Sequence, residues 1–306
     1  MPEEAVKTYD AVGIEAGASA FTCVGLNASS IEPVLSHPYS PGQTALSQLS
    51  EFVASVRERV GSIGKVGVAV PGLISGATGR VAFSANIPEH SDIDLAGQIL
   101  ADTGVEVLVE NDANAAAYGE YKLGAGRGAN NLFYATLGQG IGGCFIFDGK
   151  IWRGKSGFAG EFGYVAINSD GTRLEDVASS ENIVRRTRNR FNRDSTSSLN
   201  RYHEQSIGLH EIVAAAEGGD DFAQLMLMRT GVYVGTAVAN VINLLNIERI
   251  VLGGEIMRTH HTVLDAVTRR ARELSFSPSF SEVEIVAGEL GEYAPAAGAA
   301  LLAAAS

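Results

Sequence analysis

Apolar runs of strand length alternate along this chain with longer segments in which apolar residues recur at helical spacing. Strands are predicted at residues 11–14, 21–26, 66–70, 105–109, 132–137, 143–147 and 250–252. Helices are predicted at residues 45–60, 94–101 and 113–123, through a long apolar region at 208–246, and in the small-residue segment at the C-terminus. Each half of the chain contains two strands joined by a glycine-containing turn and then alternates strands with helices. This repetition is typical of two α/β lobes related by internal duplication, although alternation alone is compatible with several folds.

Length and composition favour two lobes. The chain has 306 residues and a hydrophobic content of 45%, which suits two lobes of about 150 residues each. We place these lobes at residues 1–124 and 125–294, with a C-terminal helix at 295–306 packing back on the first lobe. The only two cysteines, Cys23 and Cys144, lie in apolar strand-like runs. They are therefore interpreted as buried free thiols, which excludes a disulfide framework or a cysteine-rich zinc module.

Net charge and hydropathy limit which partners and which cell compartment we expect for this protein. The net charge of −12 argues against nucleic acid and anionic membranes as partners, although backbone N–H groups can still hold a nucleotide phosphate. No apolar run approaches the length of about 18 residues that spans a bilayer. The first residues lack the basic and apolar regions of a signal peptide. We therefore expect a cytoplasmic protein.

The segment at residues 110–114 contains the strongest candidate for chemistry. An apolar strand leads directly into Asn111 and Asp112 at the start of a predicted helix. Asp112 could be a helix cap that accepts hydrogen bonds from backbone N–H groups. Alternatively, ligands of open α/β sheets bind at the carboxyl ends of strands, where an aspartate can accept the proton of an attacking hydroxyl.

Two further segments each allow a structural and a functional interpretation. The glycines at 138, 140, 142 and 143 lie between two predicted strands, where they could form a tight hairpin or wrap a phosphate with backbone N–H groups. No helix follows them, so they do not form a dinucleotide-binding fingerprint. Glu161 is flanked by Phe158, Ala159 and Phe162, which makes it an unusual solvent residue and a candidate for a site.

Taken in order, five segments resemble the ROK family (repressors, open reading frames and sugar kinases). They are ENDANAAAYGEYKLGAG, TLGQGIGG, DGKIWRGKSGFAGEFGY, IVLGGEI and GAALLA, and the resemblance covers nearly the whole chain. It implies the duplicated two-lobe actin-like ATPase (ribonuclease H-like) α/β fold, with sugar and ATP in the cleft between the lobes. Members that act as repressors carry an added N-terminal helix-turn-helix. Because the first predicted strand begins near residue 11, we expect the kinase branch.

The resemblance also implies roles for individual residues. Asp112 resembles the catalytic base, and the family's sugar ligands correspond to Asn86, Asn111, Glu161, Tyr164 and Glu175. Gly138, Gln139, Gly140 and Gly142 resemble the second phosphate loop, Glu15, Gly17 and Ser19 resemble the first, and Gly253 and Gly254 resemble the adenosine contact. Carboxylates and amides suit sugar binding because each can bridge two adjacent hydroxyls. ATP with Mg²⁺ as phosphoryl donor, and a homodimer, are expected by the same resemblance.

The chain departs from the family pattern at three places. The first phosphate loop has Ala18 and Ala20 where the family has glycine and lysine, and the second has Gln139 where threonine is usual. Tyr164 stands at the position of the family's zinc-binding histidine, and no cysteine follows it. We therefore expect no structural zinc.

These departures leave three hypotheses for function. The first is an ATP-dependent kinase of a sugar or polyol with Asp112 as general base. The second is a sugar-binding protein that has lost phosphoryl transfer, and the third is a different reaction on a phosphorylated sugar. The basic segment at 185–201 is interpreted as a solvated helix end and loop, or alternatively as an anion-attracting rim.

Overall fold

The computed structural model describes residues 7–17, 19–60, 64–85 and 87–306, and the side chains of all of these except 258–260. The chain divides into two compact units. The first unit contains Met1–Asn130, Cys144–Gly160 and Glu289–Ser306, and the second contains Asn131–Gly143 and Glu161–Gly288. These bounds differ from the predicted lobes because residues 125–130, 144–160 and 289–294 belong to the first unit, which also contains the C-terminal helix.

The strands form two five-stranded mixed sheets and one short hairpin. The orders are β3-β2-β1-β4-β7, β10-β9-β8-β11-β12 and β5-β6. The strands are β1 Ala11–Ala16, β2 Ala20–Asn27, β3 Ser30–Pro38, β4 Val66–Val70, β5 Leu73–Ile74, β6 Val81–Phe83, β7 Val107–Asn111, β8 Leu132–Leu137, β9 Ile141–Phe147, β10 Lys150–Trp152, β11 Arg249–Gly253 and β12 Glu284–Ala287.

The helices complete an α/β fold. They are α1 Ala45–Arg59, α2 Leu95–Thr103, α3 Asp112–Leu123, α4 Glu175–Ala178, α5 Ser180–Arg188, α6 Leu209–Glu217, α7 Asp221–Leu245, α8 His260–Leu274, α9 Ser277–Ser281 and α10 Ala294–Ala305. The predicted helical region at 208–246 is two helices rather than one. The chain breaks at Gly218 and Gly219, and Gly219 has a φ of +86° that a helix does not allow.

Parallel pairing aligns three strand ends in the first unit. Glu15 on β1 pairs with Ala69 on β4, and Ala69 pairs with Glu110 on β7. Since parallel strands end at the same edge of a sheet, Glu15 and the segment that begins at Glu110 lie at one edge, separated by a single strand. The burial of Ile14, Val68 and Val70 fixes this register, because a slip by one residue would move them to the opposite face.

Small residues allow α10 to pack directly on the first sheet. A Cβ added at Gly13 on β1 would overlap the carbonyl oxygen of Ala296, and one at Gly67 on β4 would overlap that of Ala299. On the other side of the helix, a Cβ at Gly298 would overlap the carbonyl oxygen of Ala115 on α3. The alanine-rich composition of both helices is therefore explained by backbone approach rather than by helix propensity alone.

The long helix α7 is the centre of the second unit. Gly231 and Gly235 face α8, and a Cβ at either position would come within 2.6 Å of a backbone atom of Val263 or Val267. Among the described residues, α7 is the one helix long and apolar enough to cross a membrane, with a mean hydropathy of 1.4. The prediction that no segment approaches this length and hydropathy was therefore wrong. In this structure 56% of the apolar stretch is buried, as in the core helix of a folded unit.

Candidate functional site

Asn111, rather than Asp112, caps helix α3. The Asn111 side-chain oxygen accepts a hydrogen bond from the Asn114 N–H at 2.9 Å, and its amide nitrogen donates to the Gly72 carbonyl at 2.9 Å. The same nitrogen donates to Asp112 Oδ1 at 3.0 Å, and the Ala113 N–H donates to that oxygen at 2.8 Å. Asp112 is half-buried at the first helical position, so the capping role considered for its side chain belongs to its neighbour.

Glu110, the residue before the cap of α3, forms an ion pair with Arg153. Glu110 is 3% exposed, and its carboxylate accepts hydrogen bonds from Arg153, at 2.9 Å from Nη1 and 2.5 Å from Nη2. Glu110 also accepts from the Asn111 N–H at 2.9 Å and from the Asn114 side chain at 3.0 Å. Sequence reasoning did not find Arg153. The available signal was a glutamate in an otherwise apolar strand, which needs a cation nearby.

Glu15 at the end of β1 faces other acidic groups. Burial, and to a lesser extent the negative charges of Asp112 and Glu292, raise its pKa from 4.5 to about 8. The following turn is closed by a hydrogen bond from the Gly17 N–H to the Ala20 carbonyl at 3.0 Å. Glu15 and Asp112 thus come together within the first unit, as their strand ends predict. Two positions considered in the sequence, Ala18 and Asn86, lie outside the described residues.

The loop between β8 and β9 is a tight turn in which Gly138 donates its N–H to the Gly140 carbonyl at 3.0 Å. Neither Gly138 nor Gly140 has a positive φ, which removes one structural reason for glycine. A Cβ at Gly138 would meet only side-chain atoms of Glu255, the nearest at 3.6 Å, and a carbonyl oxygen at 3.9 Å. These are ordinary contacts, so packing within this unit does not require glycine there. Gln139, at the tip of the turn, is exposed.

Glu175 is hydrogen-bonded to the end of this loop. Its Oε2 accepts a hydrogen bond from the Ile141 N–H at 2.7 Å, and a Cβ at Gly140 or Gly163 would approach the same oxygen to 3.3 or 3.2 Å. Glu161 precedes the turn that contains Gly163, and its side chain is exposed. Partial desolvation of the Glu161 carboxyl raises its pKa, and the negative charge of Glu175 raises it further. The structure therefore brings Glu161, Glu175 and the glycine loop together in the second unit.

Tyr164 stacks on a cation rather than lying in a buried pocket of this unit. It is 58% exposed, and the Arg173 guanidinium lies 4.4 Å from its ring centroid. The intervening hairpin is closed by Asn168, whose side-chain oxygen accepts from the Asp170 and Thr172 N–H groups at 3.1 and 3.0 Å. Within the described part of the chain, no group of three or more His, Cys, Asp or Glu side chains has the geometry of a metal site.

Packing explains the glycine pair at the end of β11. A Cβ at Gly254, whose φ is +89°, would lie 2.5 Å from the Leu137 carbonyl oxygen, and one at Gly253 would overlap the Tyr134 hydroxyl. The Ser180 N–H donates to the Gly138 carbonyl at 2.8 Å, and its hydroxyl donates to Glu255 at 2.5 Å. These contacts join the glycine pair, the first turn of α5 and the glycine loop into one group.

Relatives of known activity match this chain over most of its length. A glucokinase of Streptomyces coelicolor is 31% identical over 287 residues, which cover 88% of this chain and 90% of that protein. A glucokinase of Halalkalibacterium halodurans is 33% identical over 66% of this chain and 64% of its own length. A xylose repressor of Bacillus spizizenii is 30% identical over 76% of this chain and 59% of its own length. The chain thus spans less than two thirds of the last two relatives.

Solved structures confirm the predicted fold. The structure of a ROK family glucokinase from Streptomyces griseus in complex with glucose and AMPPNP superposes with a TM-score of 0.86 at 26% identity, covering 97% of this chain and 99% of that one. A ROK hexokinase from Thermus thermophilus superposes with a TM-score of 0.75 at 25% identity, covering 96% and 97%. The fold is therefore the α/β actin-like ATPase fold of these sugar kinases.

The family model confirms the resemblance that the motifs carry. The model described as the ROK family matches residues 11–306, which include each of the five resembling segments. The chain therefore belongs to the ROK family.

Proposed function

We propose that this protein transfers a phosphoryl group from ATP to a hydroxyl of a hexose, aminosugar or related polyol, with Asp112 as the general base. The observation that carries the proposal is the state of Asp112. Its carboxylate lies at a strand end, half-buried, while the neighbouring Asn111 supplies the helix cap. The glucokinases among the relatives support sugar phosphorylation as the reaction class.

Asp112 performs the proton transfer in this proposal. Its carboxylate accepts the proton of the sugar hydroxyl as that oxygen attacks the γ-phosphorus of ATP, and ADP leaves with the electrons of the broken P–O bond. Hydrogen bonds to Oδ1 from Asn111 and from the Ala113 N–H fix the carboxylate.

We assign sugar binding to side chains that can hydrogen-bond to two adjacent hydroxyls. We assign it to Asn111, Glu161, Tyr164 and Glu175, together with Asn86, which lies outside the described residues. Glu175 accepts the Ile141 N–H with Oε2, so its Oε1 is the atom assigned to the sugar. A hydroxyl has one donor, so two adjacent sugar hydroxyls, one donating to Glu161 and one to Glu175, would satisfy this pair.

The phosphates are assigned to the two glycine-containing turns. Glycine at 138 is required neither by a positive φ nor by a close contact, which leaves access to a ligand as its remaining explanation. Glu15, Gly17 and Ser19 are assigned to the first turn, Gln139, Gly140 and Gly142 to the second, and Gly253 and Gly254 to adenosine. Mg²⁺ bound with the nucleotide would neutralise phosphate charge, and Glu15 is the acidic group assigned to face it.

Turnover of ATP with a panel of sugars, aminosugars and cyclitols tests the proposal. Asp112→Asn should lower kcat by about 10²-fold or more while sugar affinity is retained. The matched control is Asp94→Asn, since Asp94 caps α2 by accepting from the Gly97 N–H at 2.9 Å and should leave turnover unchanged. Equal turnover of both variants would contradict the assignment of Asp112.

A sugar-binding protein without phosphoryl transfer is the second candidate. It is favoured by Ala18 and Ala20, which replace a glycine and a lysine of the first phosphate loop, and by the repressors among the relatives. Sugar binding without ATP turnover would support it. Calorimetry on the double variant Ala18→Gly/Ala20→Lys is the sharper test, because a restored loop should tighten ATP binding about ten-fold or more and leave sugar affinity unchanged.

We further propose that the protein is a cytoplasmic homodimer. Buried free Cys23 and Cys144 are compatible with a reducing compartment. Light scattering of the purified protein would establish the oligomeric state.

A further inference from the structure

The basic segment of α5 places one arginine against a buried surface of α7. Arg186 Nη2 donates a hydrogen bond to Thr230 Oγ1 at 2.7 Å, and Thr230 is fully buried. The guanidinium also lies 5.4 Å from the ring centroid of Tyr233, one helical turn further along α7. Its Nε is buried and has no hydrogen-bond partner among the described residues. Arg186 is thus a half-buried cation whose donors are only partly satisfied.

Further positive charges lie near this guanidinium, because Arg229 precedes its partner Thr230 in α7 and Arg190 follows Arg186 by four residues. Burial lowers the pKa of Arg186, and the charges of Arg229, Arg190 and Arg185 lower it further. Arg190 and Arg229 are exposed, and Arg185 is bonded to its own helix through Asn182 at 2.5 Å. In the part of the chain that the structure describes, none of these four arginines has a carboxylate within ion-pair distance.

Such a cluster is unfavourable unless an anion joins it. A partly buried cation without a counter-charge loses hydration that nothing replaces, and each like charge nearby adds to this cost. Stacking on Tyr233 and the hydrogen bond to Thr230 offset only part of this, since neither supplies negative charge. The protein as a whole carries a net charge of −12, so a cluster of four arginines is a local exception that attracts anions.

We propose that Arg186, Arg190 and Arg229 bind a phosphate-type anion at the surface between α5 and α7. Guanidinium groups present planar forks that match the oxygens of a phosphate, and two or three forks can share one tetrahedral anion. Free phosphate and the phosphate of a small metabolite share this chemistry. The site includes no residue assigned above to the sugar or the nucleotide, and so it does not depend on the proposed function.

Calorimetry with inorganic phosphate and with pyrophosphate tests the proposal. Both are titrated into the sugar-free protein at constant ionic strength, once alone and once with saturating ADP, so that binding at a nucleotide site is separated. We expect one phosphate per chain with ADP present, and we expect Arg186→Met to weaken it by about ten-fold or more. Arg190→Gln and Arg229→Gln should each weaken it several-fold. Arg193→Gln removes the same charge from the same exposed segment and should change nothing.

A melting-temperature measurement separates binding from a purely structural role. A ligand that binds only the folded state raises the melting temperature, so phosphate should stabilise the wild type relative to an equal concentration of chloride. If Arg186 only holds α5 on α7, Arg186→Met will lower the melting temperature equally in both salts. That result would overturn the proposal, as would phosphate binding that disappears with ADP or that Arg186→Met retains. Arg186→Lys, which keeps the charge, provides a second variant if the methionine variant does not fold.

Discussion

Two carboxylates that are close in sequence, Glu110 and Asp112, differ in burial and in hydrogen bonding. Glu110 is buried and saturated by Arg153, by Asn114 and by the backbone, whereas Asp112, two residues later, is half-buried at the open start of a helix. The first carboxylate is therefore held by its partners, and the second is the one to which we assign the general-base role. We infer that the ion pair between Glu110 and Arg153 fixes the backbone that carries Asp112.

Arg153→Met should destabilise the first unit because it leaves the Glu110 carboxylate buried without a counter-charge. We expect a loss of about 3–5 kcal/mol in the free energy of unfolding, measured by urea denaturation. Adding Glu110→Gln to the same variant should recover part of the loss. Lys7→Met is the control, since Lys7 forms an exposed pair with Glu32 at 3.0 Å, worth at most about 1 kcal/mol. Equal effects of the two single variants would contradict this account.

Glu15 should make stability depend on pH. The folded protein keeps the Glu15 proton up to about pH 8, because its pKa is raised from 4.5 to about 8, whereas an unfolded chain releases it near 4.5. Between these values the folded state binds more protons, so the free energy of unfolding should fall as pH rises, by up to about 1.4 kcal/mol per pH unit.

Denaturation of Glu15→Gln across pH 5 to 8 isolates this contribution. Because glutamine does not titrate, the decline should become shallower in this variant than in the wild type. The exposed Glu58→Gln serves as the control and should keep the wild-type slope. Identical slopes in all three proteins would mean that Glu15 does not hold the proton.

At the scale of elements, regular apolar patterns were predictable and polar or discontinuous ones were not. Predicted strands at 66–70 and 132–137 match β4 and β8. Strand β3, Ser30–Pro38, was missed because it is an edge strand with largely exposed side chains and two prolines. The ion pair of Arg153 with Glu110 was also missed. It joins residues 43 positions apart, and no local pattern reports a contact at that distance along the chain.

The interface of α10 should be intolerant of a single added methyl group. Gly298→Ala would gain about 1 kcal/mol of helix propensity, but its Cβ would overlap the Ala115 carbonyl oxygen. Since backbone atoms cannot rotate away, overpacking should dominate and cost at least about 1–3 kcal/mol net. Thermal unfolding measures the change. In the control, Gly76→Ala, the nearest atom would be 3.5 Å away; a similar loss there would argue against the packing explanation.

At the scale of the whole molecule, the motifs predicted the family and the fold, and they included acidic and glycine-rich segments within each unit. They did not predict the closed hairpin at residues 165–174. Asn168 closes this hairpin by hydrogen bonds with Thr172, and a turn of this kind leaves no sequence signature beyond its asparagine and Gly171.

Chelation should therefore leave the stability of the protein unchanged. We expect the same melting temperature before and after dialysis against excess EDTA, because Asn168 closes the hairpin without a metal. Asn168→Ala should lower the melting temperature by a few degrees, since it removes hydrogen bonds worth roughly 0.5–1.5 kcal/mol each. Elemental analysis showing about one zinc per chain, or a drop on EDTA treatment, would contradict the prediction.

The packing of α10 on β1 and β4 has a consequence for biosynthesis. A ribosome produces the strands of the first unit early and the helix that covers them last, with most of the second unit in between. Until α10 emerges from the exit tunnel, the face of the sheet that carries Gly13 and Gly67 lacks its backbone-to-backbone cover. The nascent chain must carry this open surface through most of its synthesis, and chaperones that recognise exposed apolar sheets have that whole interval in which to bind it.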